Sequence, residues 1–381
     1  MSYDILNGTV VYNEYWNYFP RMPPHTAVVL GIFMSITSFI CVLGNAFVLY
    51  YHFYRSKQWK KHYLLVNLAI ADILKPIAAF WMVVYNAFNG GWSFGVYGCH
   101  SVADYHSVAG CHSVAGCHSV AGCHSVAGCQ YYAFIMSLMA IGSIAHLAAI
   151  AVQKQLIITA PLKYRQVQFR SLLLADCFCW LYSSIFAIAP LLNWGNFQLD
   201  GYQISCSFNY IDIDPSCTSF VIAVICGAFV IPCVAILVSY IRIFVYVKDS
   251  AKQRAALSEE NNSLKGNRKI SKRSGRNTEL EATVTILIAI SLFIVAWTPY
   301  SLLAIISQSA PDRENYVTPL SVTAAVFLAK CSAAFNPIVY YFRDAKLRNE
   351  LGRIFGRRTR DSRRCYSSVA SRHSLELASH T

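Results

Sequence analysis

Charge is scarce in this chain. Only 13% of its 381 residues are Asp, Glu, Lys or Arg, against 55% hydrophobic residues, and the mean hydropathy is positive. That balance excludes a soluble two-domain enzyme and describes a polytopic membrane protein. Acid is scarcer than base, 19 residues against 32, for a net charge of +13. In a soluble protein such an excess would suggest nucleic acid; here the basic residues crowd particular connections, and no nucleic-acid partner is expected. No cleavable signal peptide is evident, the first 20 residues being polar and aromatic. No Cys–His spacing matches a known zinc finger. A repeated pair of broken helices, the mark of a transporter, is also lacking.

What is present is a set of seven apolar stretches, each near the ~20 residues a helix needs to cross a bilayer. They run approximately Ala27–Tyr51, Tyr63–Phe88, Gln130–Ile158, Ser171–Asn193, Thr218–Val247, Ala282–Gln308 and Pro319–Tyr341. The expected fold is an all-α membrane protein, a seven-transmembrane-helix bundle. Pro76, Pro190, Pro232, Pro299 and Pro337 interrupt it, which membrane helices tolerate because neighbouring groups re-satisfy the backbone.

Arg55, Lys57, Lys60 and Lys61 follow the first stretch; Lys163, Arg165 and Arg170 follow the third; Lys265, Arg268, Lys269, Lys272, Arg273 and Arg276 follow the fifth. The opposite connections carry Asp200, Asp212, Asp214, Asp312 and Glu314. The positive-inside rule therefore predicts a multi-pass protein with an extracellular N-terminus and a cytoplasmic C-terminus. The expected divisions are an outer segment 1–26, a membrane domain 27–341, a short amphipathic cytoplasmic helix 342–357 and a tail 358–381. Arg343, Lys346, Arg348 and Arg353 suit that helix to anionic membrane lipid. Asn7 heads the glycosylation acceptor Asn7-Gly8-Thr9. Cys365, after Arg363-Arg364, is either a palmitoylation site or a free surface thiol. Ser367, Ser368, Ser371 and Ser374 are kinase substrates or plain tail polarity.

Residues 99–128 form five six-residue units: CHSVAD, YHSVAG, then CHSVAG three times. A period of six matches neither helical nor strand amphipathy, and solenoid repeats are longer. Such near-identity is what a tandem duplication or a sequence-assembly error leaves, and the segment is expected to be a flexible outer loop. Cys99, Cys111, Cys117, Cys123, Cys129, Cys206 and Cys217 fall on the outer, oxidising side, where disulfides form. Cys41, Cys177, Cys179, Cys226, Cys233 and Cys331 fall inside spans, as packing residues.

Lys330 lies in the seventh stretch, six residues before Asn336-Pro337. A lysine at the centre of a membrane helix costs roughly 2.5–3.5 kcal/mol, so it needs a reason. One is a structural ion pair. The other is chemical: a desolvated lysine is a neutral amine able to condense with an aldehyde to a Schiff base.

A series of motifs runs through the stretches in order: Gly44-Asn45, then Leu68-Ala69-Ile70-Ala71-Asp72, Trp180, Pro232 with Tyr240, Phe293 with Trp297-Thr298-Pro299, and Asn336-Pro337-Ile338-Val339-Tyr340. Their order and spacing resemble a rhodopsin-like G-protein-coupled receptor. Phe327-Leu328-Ala329-Lys330 resembles the retinal attachment site of opsins. Ala296-Trp297-Thr298-Pro299-Tyr300 resembles span six of many invertebrate opsins. Asp200-Gly201-Tyr202-Gln203-Ile204-Ser205-Cys206 resembles the opsin second outer loop, which bears an acid six residues before its disulfide cysteine. The chain is thus similar to opsins of invertebrate type, with the subgroup open.

That resemblance implies retinal, 11-cis or all-trans, bound covalently to Lys330. It implies a disulfide at Cys206, and Cys129, directly before the aromatic start of span three, is its expected partner. Tyr132 stands where vertebrate visual opsins carry a glutamate counterion, and a tyrosine cannot serve at neutral pH. Asp200 is then the counterion, or else a solvated loop carboxylate. Trp297 and Tyr300 are expected to line an apolar cavity. Asp72, Tyr240, Asn336, Pro337 and Tyr340 match switch positions of the family. The implied partners are a heterotrimeric G protein, a receptor kinase and arrestin.

Two departures stand out. The family's acid–arginine–tyrosine motif is here Gln153-Lys154-Gln155. Lys154 keeps the charge but loses the planar fork, and is expected to pair with Glu279. Lys75 stands one turn after Asp72, either as its ion-pair partner or as a charge near the retinal pocket. The resulting expectation is a light-sensing receptor and not an enzyme. A retinal photoisomerase with little signalling is the alternative that the altered motif favours. A receptor for a diffusible ligand is a more distant one.

Overall fold

The computed structural model describes residues 13–57, 59–94, 121–165, 169–260, 270–343 and 345–354, with backbone alone at 121–126, 165, 254–260, 270–279, 282, 345 and 346. Seven helices among them are long and apolar enough to cross a membrane: Pro24–Arg55, Tyr63–Phe88, Ala127–Thr159, Phe169–Leu192, Pro215–Gln253, Thr283–Ser309 and Pro319–Arg343. They are spans one to seven below. Proline sets three of the starts, at Pro24, Pro215 and Pro319, because a first-turn residue has no intrahelical use for its N–H. Pro24 opens span one, and Pro215 opens span five behind Asp214, whose carboxylate accepts from the N–H groups of Ser216 and Cys217.

Span five presents Ile231, Leu237, Ile241 and Phe244 outward, as lipid-facing surface should. Span seven is the reverse, with Val322, Ala329, Lys330, Ala333, Asn336 and Val339 all buried. It packs tightly on span one: a Cβ at Gly44 would come 2.7 Å from the Pro337 ring. Asn45 of span one donates to the Ala333 carbonyl at 3.2 Å.

Between spans four and five lies a hairpin, β1 (Phe197–Asp200) and β2 (Ser205–Phe208), antiparallel with Asp200 opposite Ser205. Its turn uses Gly201 at φ +51°. A Cβ there would meet Thr323 Oγ1 at 2.5 Å and the Pro319 carbonyl at 2.8 Å, so only glycine lets the hairpin seat on span seven. A disulfide between Cys129 and Cys206, Cα–Cα 5.6 Å, ties β2 to the start of span three. The 3-10 helix Glu14–Tyr18 closes over this end: Trp16 Nε1 donates to the Leu199 carbonyl at 3.0 Å and the Tyr15 hydroxyl to Val317 at 2.8 Å.

Several expectations change. Residues 121–128 are not loop but helix, continuous with span three from Ala121. Extending an existing helix adds one hydrogen bond per residue, whereas nucleating one does not, so the last repeat joins a helix that is already formed. Residues 99–120 lie outside the described ones. Span seven runs on through Phe342 and Arg343, and the amphipathic helix is the shorter Ala345–Ile354, held by Glu350 against Arg55 at 2.5 Å. Cys177 and Cys226 are exposed on the lipid-facing surface and do not pack, and Cys217 is a buried free thiol. Asn7, Cys365 and the tail serines lie outside the described residues.

Gly128 approaches the Phe94 carbonyl so closely that a Cβ would be 2.8 Å away. Removing residues 99–128 places Gly98 directly before Cys129, so a glycine keeps that position. The deletion is expected to leave the yield of folded protein unchanged or higher. Cys206→Ala, by contrast, should destabilise it by about 2–4 kcal/mol. Peptide mapping of the disulfides and thermal melting in detergent check both; Cys206 found joined mainly to Cys99 or Cys111 would contradict the first.

Candidate functional site

Thr323 and Lys330 are seven residues apart, two turns on one face of span seven. Thr323 Oγ1 accepts from the Tyr202 N–H at 3.2 Å, which seats the hairpin two turns from Lys330. Lys330 is only 6% exposed. Its Nζ lies 5.9 Å from the ring centre of Tyr132 and 5.7 Å from that of Phe327. It forms part of the wall of a cavity between spans three, five, six and seven and the hairpin. Met136, Phe208, Ile225, Phe229, Phe293, Trp297 and Tyr300 make that wall mostly apolar.

Asp200 is 2% exposed, so it is not a solvated loop carboxylate. Its Oδ1 accepts from Ser207 Oγ at 2.5 Å and from the Tyr210 hydroxyl at 3.2 Å. Among the described residues its Oδ2 is buried without a partner, and so is the Tyr132 hydroxyl. Both residues line the cavity that Lys330 lines. No ion pair within 4.0 Å joins Asp200 to Lys330 among the described residues. Burial pushes the Asp200 carboxyl up to about 7, against the opposing pull of Ser207, the Lys330 charge and Tyr210. Burial first, then the Asp200 charge, hold the Tyr210 phenol well above its ordinary range, so it remains a neutral donor.

The raised carboxyl has a consequence for the protein without ligand. Its folded value of about 7 lies above the 3.8 of an unperturbed aspartate. The fold therefore binds this proton more tightly than the unfolded chain does, and the ionised carboxylate penalises folding above about pH 7. The penalty fades as pH falls toward 3.8. Melting of the retinal-free protein should accordingly shift upward by a few degrees between about pH 8 and about pH 5.5, and Asp200→Asn should flatten that slope. An equal slope in the variant would assign the effect to another group.

The switch positions are distributed along the bundle. Trp297 Nε1 donates to Ser332 Oγ at 3.2 Å, coupling span six to span seven beneath the cavity. Its ring stacks on Phe293 at 5.7 Å and meets Tyr300 edge-on at 6.2 Å. The Tyr240 hydroxyl reaches the Thr283 carbonyl at 3.3 Å, between spans five and six. The Tyr340 hydroxyl is buried without a partner among the described residues. Asn336 Nδ2 donates to Asp72 Oδ2 at 2.8 Å. Lys75 is paired with Asp72 at 2.7 Å and takes no part in the cavity wall, which decides between its two readings. Lys154 is buried, but the side chain of Glu279 lies outside the described residues, and so does the expected contact between them. Gln153 Nε2 donates to the Tyr164 hydroxyl at 2.9 Å.

Ser207 and Tyr210, which hold the carboxylate, were not among the sequence candidates. The one signal for Ser207 is the glycine turn between two four-residue runs, Phe197–Asp200 and Ser205–Phe208, which reads as a hairpin once the pairing is known. Tyr210 carries no local signal; only the path of the chain after β2 returns it to Asp200.

Residues 111–340, more than half of the chain, match the family described as 7 transmembrane receptor (rhodopsin family). The chain belongs to this family. Among relatives, the receptor is 27% identical to rhodopsin of Enteroctopus dofleini over 352 residues, covering 92% of this chain and 70% of that protein. It is 26% identical to a rhodopsin, GQ-coupled, of Mizuhopecten yessoensis, covering 88% and 61%. It is 26% identical to melanopsin-B of Xenopus laevis, covering 87% and 55%. The crystal structure of squid rhodopsin superposes with a TM-score of 0.75 at 25% identity, covering 92% of this receptor and 91% of that chain. These relatives support the opsin reading, invertebrate in type, and not the photoisomerase alternative.

Proposed function

We propose that this receptor senses light through retinal bound covalently to Lys330 and passes the signal to a heterotrimeric G protein. The observation that carries the reading is the convergence on one apolar cavity of a buried amine, Lys330, and a buried carboxylate oxygen, Asp200 Oδ2, that has no partner among the described residues. Two buried polar atoms without partners among the described residues, Asp200 Oδ2 and the Tyr132 hydroxyl, are costly in an apolar cavity. A cationic linkage on Lys330 would give the carboxylate its partner, which is the fit expected of a retinal site. When bound, retinal supplies light absorption and a change of shape on isomerisation.

The chain's own residues do the rest. Lys330 supplies the attaching nitrogen. Ser207 and Tyr210 saturate Asp200 Oδ1, orient the carboxylate and leave Oδ2 for the cation. Trp297, across the cavity and bonded to Ser332, is the side chain through which pressure in the cavity reaches spans six and seven. A ligand shifts a receptor only by favouring one of its conformations, so Trp297, which lines the cavity, would have to take a different position in the two receptor states. The positive-inside bias supports an orientation with the hairpin end outside and the short helix Ala345–Ile354 on the cytoplasmic side, where its basic residues suit anionic lipid. Kinase and arrestin would act on the tail beyond it.

Light-dependent nucleotide exchange on purified G proteins, with retinal added, tests the reading. The scallop relative is named for Gq coupling, which makes that class the first to assay. A pigment that forms and isomerises but never drives exchange would favour a photoisomerase role. Absence of any pigment would favour a diffusible ligand.

A further inference from the structure

The Tyr210 hydroxyl that donates to Asp200 Oδ1 belongs to a segment, residues 209–213, that is neither helix nor strand. Its carbonyls therefore need partners from elsewhere in the fold. Three successive ones find them at the outer end of span six. Gln308 Nε2 donates to the Tyr210 carbonyl at 2.8 Å and to the Asp212 carbonyl at 3.0 Å. Between these two, the Ile211 carbonyl accepts from Arg313 Nη1 at 2.7 Å, and the same nitrogen reaches back to the Ser307 carbonyl at 3.0 Å.

Gln308 is itself fixed. Its Oε1 accepts from the Thr218 hydroxyl of span five at 2.7 Å. Carbonyl oxygens only accept, so the amide can face Tyr210 and Asp212 only with its NH₂ side. From its other side the segment is held by Asn209, whose Oδ1 accepts from the N–H groups of Ile211 and Asp212 at 3.1 Å. The Tyr210 ring meets Tyr300 edge-on at 5.7 Å, which leaves its hydroxyl little freedom once the backbone is set.

We propose that Gln308 is a positioning residue for the Asp200 carboxylate, acting from span six through the Tyr210 backbone, with Arg313 holding the next carbonyl. Span six, which carries Trp297 into the cavity, thereby also sets the donor on the carboxylate that faces the cavity. The consequence for a pigment rests on the retinal reading, but the setting of Asp200 is measurable without retinal.

The test is the melting temperature of the retinal-free protein at about pH 8 and about pH 5.5. Loss of the Tyr210 donor disfavours the ionised carboxylate, so the fold holds the Asp200 proton more tightly and the gap between the two pH values widens. Tyr132, Tyr300 and Lys330 also face Asp200 across the cavity, and Asp212 titrates nearby, so each variant is repeated with Asp200→Asn. Gln308→Met should widen the gap by about 2 °C, as Tyr210→Phe should, and the two together no further. In the Asp200→Asn background Gln308→Met should leave the gap unchanged. Equal lowering of the melting temperature at both pH values would make Gln308 merely structural and overturn the proposal, as would a widening that persists with Asp200→Asn. If Gln308→Met does not fold, Thr218→Val, which frees the amide from span five, should widen the gap by a smaller amount; a gap equal to the wild type's would overturn the proposal.

Discussion

Replacement of Lys330 by alanine should abolish covalent pigment formation and leave the protein folded. The residue is one of only two lysines buried within the described spans on the cavity side of Gln153, and the other, Lys75, is already paired with Asp72. An amine committed to a carboxylate at 2.7 Å is a poor nucleophile, whereas Lys330 has no such partner within ion-pair distance among the described residues. Removing its ammonium also removes a burial cost of roughly 2.5–3.5 kcal/mol, so a folding defect is not expected. The measurement is borohydride reduction of retinal-treated membranes followed by peptide mapping. Label on Lys330 in the wild type and none in the variant is the expected result. Label on Lys75 would overturn the assignment.

The second large effect is expected at Asp200. Asparagine keeps the shape and the hydrogen bonds from Ser207 and Tyr210 but withdraws the negative charge beside the linkage. The visible absorption band of the pigment should then titrate away at a pH about 3 units lower than in the wild type, leaving an ultraviolet-absorbing form at neutral pH. Tyr132 cannot substitute, because it is a buried, neutral phenol. A counterion on the hairpin and not on span three should also let the illuminated state keep its protonated linkage. Alternating illumination at two wavelengths should therefore drive the wild type back and forth. A variant that titrates like the wild type would show that another acid serves. Bleaching of the wild type with loss of retinal would refute the two-way behaviour even if Asp200 is the counterion.

These predictions draw unequally on the sequence and on the structure. Hydropathy alone gave seven spans, because a bilayer demands about 20 apolar residues per crossing whatever the packing. It placed span ends only to within a few residues, since a proline start, as at Pro24 or Pro215, depends on the cap as well as on hydropathy. Lys330 was legible as chemistry because a lysine in an apolar run is costly to insert and must be offset by a partner or a function. The pair Lys75–Asp72 was legible as one of two readings, because residues three apart share a helix face. Both signals are local, and local periodicity survives in a one-dimensional text.

The site's second half did not. Asp200 reads equally as a wet loop acid or a buried counterion until the hairpin, its Gly201 turn against Thr323 and the Cys129–Cys206 disulfide fold it beneath the N-terminal helix. Ser207 and Tyr210 acquire a role only when β2 brings them to its Oδ1. The helical extension of span three into the repeat was likewise undecided by a six-residue period, which favours no regular structure. The sequence by itself determined the class of protein, the number of crossings and the lysine buried in span seven, because each follows from composition or from spacing within one helix. The tertiary structure alone decided which carboxylate lines the cavity of that lysine and which donors hold it, because those depend on contacts between residues far apart in the chain.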